Sequence, residues 1–209
     1  MYIPKKYIGQ DKEEAVAFMR RFNFASIITS VDEVPMATHL PFVIEQIGER
    51  IKLHAHFALA NPQWKEIVEK ESLIIFSEPH AYISPSHYEQ EENVPTWNYV
   101  SVHVYGKAVL IEDHLAATAA LEAMMDSFEP AYKKQWQSLS KDYKDRMLKG
   151  IKAFELDVTR MQFKEKLSQN KNESERDSII NDLRISTKST QQHIAEYMDS
   201  KTTNKDDKP

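Results

Sequence analysis

The sequence predicts a mainly β protein with peripheral helices, whose strands form an antiparallel barrel or a strongly curved sheet. Segments of strand length alternate between apolar and polar residues. They follow one another closely with one short helix among them, which is typical of a meander and not of the strict strand–helix alternation of a parallel sheet. The 209-residue chain has only four glycines and no glycine-rich phosphate loop, which argues further against a doubly wound nucleotide-binding fold.

The N-terminal part of the chain begins with a helix. Asp11 is expected to cap it, because Glu14 follows at the spacing of a capping box. One apolar stripe at helical spacing predicts the buried face, formed by Ala15, Phe18, Met19 and Phe22. Three strands are expected next, over residues 24–30, 34–45 with an interruption at Pro41, and 50–57.

The third of these strands alternates most regularly. Its apolar face carries Ile51, Leu53, Ala55 and Phe57, and its polar face carries Lys52, His54 and His56. Asn61 and Pro62 then have the residue types of a helix cap and a first helical position, so a short helix is predicted to end near Lys70.

The longest predicted strand covers residues 96–111 and has two very different faces. Val100, Val102 and Val104 form one face, and Trp97, Tyr99, Ser101, His103 and Tyr105 form the other. A strand that only filled a core would carry aliphatic residues on both faces. The aromatic and polar face suits a flat polar ligand or a subunit interface. An edge strand with aromatic cross-strand pairs explains this segment equally well.

The remaining elements are predicted in the same way. Short strands at 73–76 and 81–84 precede a polar loop at 85–95. Helices are expected over 113–128 and 140–150, one more strand around 154–158, a helix over 173–198 and a disordered tail over 201–209. The chain therefore divides into a β domain over 1–170, a helical extension over 171–200 and the tail.

The composition of the chain argues against several classes of function. The net charge of −5 argues weakly against broad binding to a nucleic-acid backbone. The absence of cysteine excludes disulfides, thiolate nucleophiles and Cys-ligated zinc. No apolar run approaches the roughly 20 residues that span a bilayer, and residues 1–6 lack the apolar region of a signal peptide. A cytoplasmic protein without membrane association is expected.

Several polar clusters in the sequence are candidate sites. His54 and His56 have a spacing known for metal ligands, but no matching carboxylates lie in the same strands, so no metal site is predicted. The helix start at Asn61, with Lys65 in the first turn, could hold an anion, although an ordinary capped helix with Trp64 in the core explains it as well. Ser84, Ser86, His80 and His87 lack the nucleophile elbow of a hydrolase. The segment 166–170 is expected to be a plain loop.

Taken together, these segments resemble the PaiB-like family of FMN-binding negative transcriptional regulators. The resemblance covers roughly residues 1–170 and is carried, in order, by MYIP at 1–4, ATHLPF at 37–42, HAH through ANPQW at 54–64, PHAYISPS at 79–86, VPTWNY at 94–99, VHVYG at 102–106 and KLSQN at 166–170. These motifs are long and polar where folding alone does not require polar residues.

The resemblance implies an FMN-binding split barrel, a homodimer and flavin sites at the subunit interface. The residues it assigns to the cofactor are His54, His56, Ala60, Asn61, Lys65, Trp97, Tyr99 and His103. It assigns no catalytic residue. It also implies repression of genes for secreted degradative enzymes, proteases among them, and for sporulation, with DNA as a possible partner.

The chain departs from the family pattern at Leu59, where relatives often carry a basic residue. Loss of a cation beside a phosphate costs on the order of 1.5–3 kcal/mol, and His54, His56 or Lys65 can compensate. Two alternatives to a regulator therefore stay open. One is a flavin reductase or an oxidase resembling pyridoxamine phosphate oxidase, in which His103 and Tyr99 position substrate. The other is a split-barrel interaction protein that no longer binds flavin.

Overall fold

A computed structural model describes the backbone of residues 1–206 and the side chains of residues 1–201. The chain forms two compact units. The central unit comprises Glu13–Phe76 and His103–Met161, and the flanking unit comprises Met1–Lys12, Ser77–Val102 and Gln162–Pro209. Part of the predicted tail, residues 207–209, lies outside the described residues.

The central unit contains most of the strands and five helices in the described chain. Its strands are β1 (Phe24–Val31), β2 (Val34–Pro41), β3 (Val43–Ile47), β4 (Arg50–Ala58) and β5 (Ser72–Phe76). Its helices are α1 (Lys12–Arg21), α2 (Gln63–Glu69), α3 (His114–Phe128), α4 (Lys133–Ser138) and α5 (Lys141–Lys149). Two long strands run through both units, β7 (Thr96–Leu110) and β8 (Ile151–Lys166).

The flanking unit adds β6 (His80–Ile83), α6 (Glu173–Arg184) and α7 (Ser189–Asp206). The described strands form a mostly antiparallel sheet of eight strands in the order β2-β1-β5-β7-β8-β4-β3, with β6 paired to β7. Because β2 and β3 end this order without pairing to each other, the sheet is not closed.

Four phenylalanine rings form the centre of the core in the central unit. Phe42 lies 5.8 Å from Phe76 and 6.3 Å from Phe154 between ring centroids, both edge-on. Phe57 stacks on Phe154 at 5.3 Å. All four side chains are fully buried, and such pairs stabilise a core beyond the area they bury. The predicted apolar face of 50–57 is therefore confirmed as a core face.

Most predicted elements are present, and three expectations were wrong. The helix predicted over 173–198 is two helices, because the Ser186 hydroxyl accepts the Lys188 backbone N–H at 3.1 Å and a turn replaces the helical bond. Helix α4 was not predicted. The last strand is much longer than the expected segment around 154–158 and spans the whole of β8.

Candidate functional site

The two predicted histidines lie on β4 under helix α3. His54 Nε2 is 3.0 Å from Glu45 Oε2, and His54 pairs with Val43 of the neighbouring strand. Both imidazoles line a cavity of about 10 Å³ together with Leu121 and Met124 of α3. This space is at the lower limit for a single water molecule, so helix α3 covers the histidine face.

Burial also changes the chemistry of one of these imidazoles. It lowers the pKa of His56 from the usual 6.5, because the charged form loses its hydration. His56 is therefore neutral at pH 7. A neutral imidazole can accept or donate one hydrogen bond to a ligand but supplies no charge to a phosphate.

A larger cleft of about 610 Å³ opens beside His54 on the other side of α3. Alanines of α3 line one wall, at positions Ala116, Ala119, Ala120 and Ala123. Glu45 and Glu155 lie at its edge, the latter accepting a 2.8 Å hydrogen bond from Lys52 Nζ. The size lies within the range of small-molecule sites. The small apolar wall suits a flat ring, and Arg20 with the two carboxylates gives the cleft charges of both signs.

The loop after β4 is anchored by a buried glutamine. Gln63 is fully buried, and its Nε2 donates to Ile27 O at 3.2 Å, Thr29 Oγ1 at 3.1 Å and Met36 O at 3.1 Å. Its Oε1 accepts from Thr38 Oγ1 at 2.5 Å. Buried polar groups of this kind are stable only when fully hydrogen-bonded, so this network ties helix α2 to β1 and β2.

The same network fixes Asn61. Its Nδ2 donates to Thr38 Oγ1 at 2.9 Å and its Oδ1 accepts from the Gln63 backbone N–H at 3.0 Å. Asn61 thus satisfies a free amide of α2, as predicted, although the cap position itself is Pro62. The expectation that Trp64 fills the core was wrong, since Gln63 takes the buried position and Trp64 is half-exposed.

Two cations gather at this loop. Lys65 Nζ lies 5.5 Å and Lys152 Nζ 5.0 Å from the centroid of the Trp64 ring. Trp64 Nε1 donates to Leu59 O at 3.1 Å, and Leu59 N donates to Gly150 O at 2.8 Å. Leu59 and Lys152 line the same cleft of about 360 Å³, together with Lys149 and the carboxylates of Glu112 and Asp145. Lys152 therefore supplies positive charge near the position where Leu59 replaces the basic residue of relatives.

Lys152 and Gln63 are the residues of the candidate site that sequence reasoning missed. Gln63 stands beside Trp64 in a helical turn, and hydropathy favours the tryptophan for the core. Lys152 becomes relevant only through the pairing of β4 with β8, in which it lies opposite Phe57. A pairing across about a hundred residues has no local signal in the sequence.

The remaining predicted site residues are divided between the units. His103 belongs to the central unit and is half-buried. In the flanking unit, Trp97 is 52% exposed and lies 5.7 Å from His80 and 5.9 Å from Tyr82 between ring centroids. The ring of Tyr99 is 5.0 Å from Lys164 Nζ. Within that unit, Trp97 therefore forms the aromatic cross-strand cluster that was the alternative interpretation of this strand.

The described part of the chain shows neither a cluster of metal ligands nor a membrane-spanning helix. Residues 1–201 contain no group of three or more His, Cys, Asp or Glu side chains placed to hold a metal ion. None of the described helices is both long and apolar enough to cross a membrane.

Comparison with known proteins identifies the family. Residues 1–160 match a family described as "Putative FMN-binding domain". The chain belongs to this family. The Protease synthase and sporulation protein PAI 2 of Bacillus subtilis is 38% identical over 205 residues, which cover 96% of this chain and 98% of that protein. The predicted PaiB-like membership is confirmed, and the family supports FMN as the cofactor.

Solved structures of other proteins share the fold of this chain. The flavocytochrome Anf3 from Azotobacter vinelandii matches with a TM-score of 0.62 at 17% identity, covering 78% of this chain and 72% of that one. The FAD and heme binding protein from Mycobacterium smegmatis matches with a TM-score of 0.61 at 16% identity, covering 81% and 78%. At such identity the likeness shows the fold alone. The predicted split barrel is confirmed.

The donor set at the Asn61 loop fits an FMN phosphate. Lys65 and Lys152 supply two ammonium groups in the central unit, and the Asn61 Nδ2 group donates one hydrogen to Thr38 Oγ1 and keeps the other for a ligand. Ammonium and amide donors are the groups that hold phosphate oxygens in proteins. The residues present therefore suit the cofactor that the family indicates.

Proposed function

We propose that the protein is a homodimeric, FMN-binding regulator of the cytoplasm that represses the synthesis of degradative enzymes, proteases among them, and sporulation. The observation that carries this proposal is the 38% identity to the Bacillus subtilis protein named for protease synthase and sporulation, which extends over 96% of this chain. A relationship that spans nearly the whole chain supports a shared role as well as a shared fold.

The proposed FMN phosphate lies at Lys65, Lys152, Asn61 and the backbone of Ala60. The cleft lined by alanines beside His54 supports a position for the flavin ring in that cleft. His56, which is neutral, lies two residues further along the same strand. Trp97, Tyr99 and His103 are proposed flavin contacts on the strength of the resemblance. Bound FMN supplies redox chemistry through its ring, and these side chains bind and orient it.

Lys152→Gln is expected to weaken FMN binding at least tenfold, because the substitution removes a charge-assisted hydrogen bond to the phosphate. Leu59→Arg is expected to tighten binding, since Leu59 is 46% exposed and an arginine there restores the cation of relatives. Fluorescence titration of the purified protein with FMN measures both effects.

The matched control for this titration is Lys134→Gln on α4, where the lysine is exposed. Its dissociation constant for FMN is expected to stay within about twofold of the unmodified protein. If Lys152→Gln and Lys134→Gln bind FMN with equal affinity, the phosphate does not bind at the Asn61 loop.

Exposed apolar side chains support the proposed dimer. Phe24, Val34 and Met36 lie on β1 and β2 with large exposed fractions, and β2 is an edge strand. An apolar edge of this kind is typical of a surface that pairs with another chain.

Direct repression requires DNA binding, and the lysines of α4 and α5 are the proposed contacts. Lys133 is neutralised by Asp126 at 2.7 Å, whereas Lys134, Lys141 and Lys149 are exposed. Selection from random duplex DNA at physiological salt, with and without FMN, is expected to enrich one sequence. Lys141→Gln is then expected to reduce the salt slope of binding by about one. A failure to enrich any sequence in either condition argues against direct repression.

A further inference from the structure

The flanking unit contains a polar cleft of its own. The cleft has a volume of about 210 Å³ and is lined by Tyr7, Asn98, Lys166, Ser168, Asn170 and Lys171, among others. Four of the ten lining residues belong to or directly follow the KLSQN segment at 166–170. The sequence predicted a plain loop for this segment, so its polar residues have no function assigned above.

The charge in this cleft is positive. Two lysines line it, and no carboxylate does so. Lys166 Nζ donates to Thr96 Oγ1 and, at 2.8 Å, to Trp97 O. Both acceptors are neutral, so within the described residues the hydrogen bonds of this ammonium leave its charge uncompensated. Burial, then the nearby charges of Lys164 and Lys6, lower the pKa of Lys166 from its usual 10.5.

Lys171 adds a second ammonium at the edge of the same cleft. Its Nζ donates to Asn93 Oδ1 at 2.8 Å and lies 3.4 Å from the centroid of the Tyr88 ring. Glu175 approaches it only to 3.8 Å, and the oxygens of that carboxylate also accept backbone N–H groups of Glu89 and Asn172. The carboxylate is therefore shared among several donors and compensates Lys171 incompletely.

The backbone of the segment is held in an unusual conformation. Ser168 has a φ of +57°, in the left-handed region that non-glycine residues rarely adopt. A hydrogen bond of 2.9 Å from the fully buried Asn98 to Ser168 Oγ holds it there. The contact with Asn98 therefore fixes Ser168 at the cleft wall.

We propose that this cleft binds the oxyanion group of a small molecule between the ammonium groups of Lys166 and Lys171. The two ammonium groups suit an oxygen-rich ligand, and a bound oxyanion compensates the positive charge that no lining side chain neutralises. The inference does not rest on the proposed flavin site, because neither Trp97 nor Tyr99, the proposed flavin contacts in this unit, lines the cleft.

Calorimetric titration of the full chain with sulfate, inorganic phosphate and malonate, at matched ionic strength in chloride, tests the proposal. At least one probe is expected to bind at millimolar concentration. Lys166→Gln and Lys171→Gln are each expected to weaken it about tenfold or more, whereas Lys107→Gln, at an exposed lysine of β7, is expected to leave the affinity unchanged. A preference for sulfate and phosphate identifies a phosphate-type group, and a preference for malonate identifies a carboxylate.

The pH dependence in the unmodified protein provides a second test that needs no variant to fold. Sulfate keeps its charge as pH rises, so its affinity is expected to fall as Lys166 loses its proton, at a pH below that of an ordinary lysine. The proposal is overturned if no probe binds. It is also overturned if Lys171→Gln binds as tightly as the unmodified chain, or if the affinity for sulfate stays constant up to the usual lysine pKa.

Discussion

Gly106→Ala is expected to lower the free energy of unfolding by about 3 kcal/mol or more, or to prevent folding. An added Cβ would lie 2.3 Å from the backbone oxygen of Asp157 and 2.4 Å from Leu156 Cδ2. The oxygen belongs to β8, so it cannot move away without disturbing the sheet. Urea unfolding followed by circular dichroism measures the loss.

Gly150→Ala is the matched control, because it adds the same methyl group in a more open place. Its Cβ would meet Met147 O at 3.3 Å, and the residue caps α5 with an ordinary φ of −83°. Its stability is expected to change by less than about 1 kcal/mol. Equal stability of the two variants would contradict the close approach of β7 to β8.

Gln63→Leu is expected to cost about 3 kcal/mol of stability and to weaken FMN binding. Leucine has a similar size but leaves the carbonyls of Ile27 and Met36 and the hydroxyls of Thr29 and Thr38 without this partner. An unsatisfied buried group costs roughly 1–3 kcal/mol, and water or small shifts recover part of that. Thr38 also positions Asn61, so the loop at the proposed phosphate site is expected to loosen.

The control for this substitution is Gln137→Leu on α4, where the side chain is exposed. Its unfolding free energy is expected to change by no more than about 0.5 kcal/mol. If Gln63→Leu unfolds at the same urea concentration as Gln137→Leu, the buried network does not stabilise the central unit. If it loses stability but keeps full FMN affinity, the network does not position the cofactor loop.

Local periodicity was sufficient to predict most of the sheet. Residues 50–57 alternate with the period of a strand, and the structure buries the apolar set and leaves the polar set half-exposed, as expected. The helix predicted over 173–198 failed for an equally local reason, since apolar spacing continues through Ser186 while its hydroxyl forms a competing turn. The spacing of apolar residues reveals the buried face of an element, but it does not reveal a break that one polar side chain causes.

The candidate site was only partly predictable because its parts come from distant segments. Asn61 has a local signature, a cap before a proline, and was predicted. The role of Lys152 depends on the β4–β8 register, which places it opposite Phe57. Gln63 is buried because its side chain donates to acceptors on two strands, β1 and β2. The residues of its own helical turn carry no sequence signal for these partners.

The visible absorption spectrum of the freshly purified protein, followed by titration with FMN after dialysis, tests the central claim most directly. The protein is expected to carry flavin absorption bands or to acquire them with a saturable, one-to-one stoichiometry per chain. Lys152→Gln is expected to lose the bands on dialysis sooner than Lys134→Gln. A colourless preparation that also fails to bind added FMN would contradict the account and favour a split-barrel interaction protein without a cofactor.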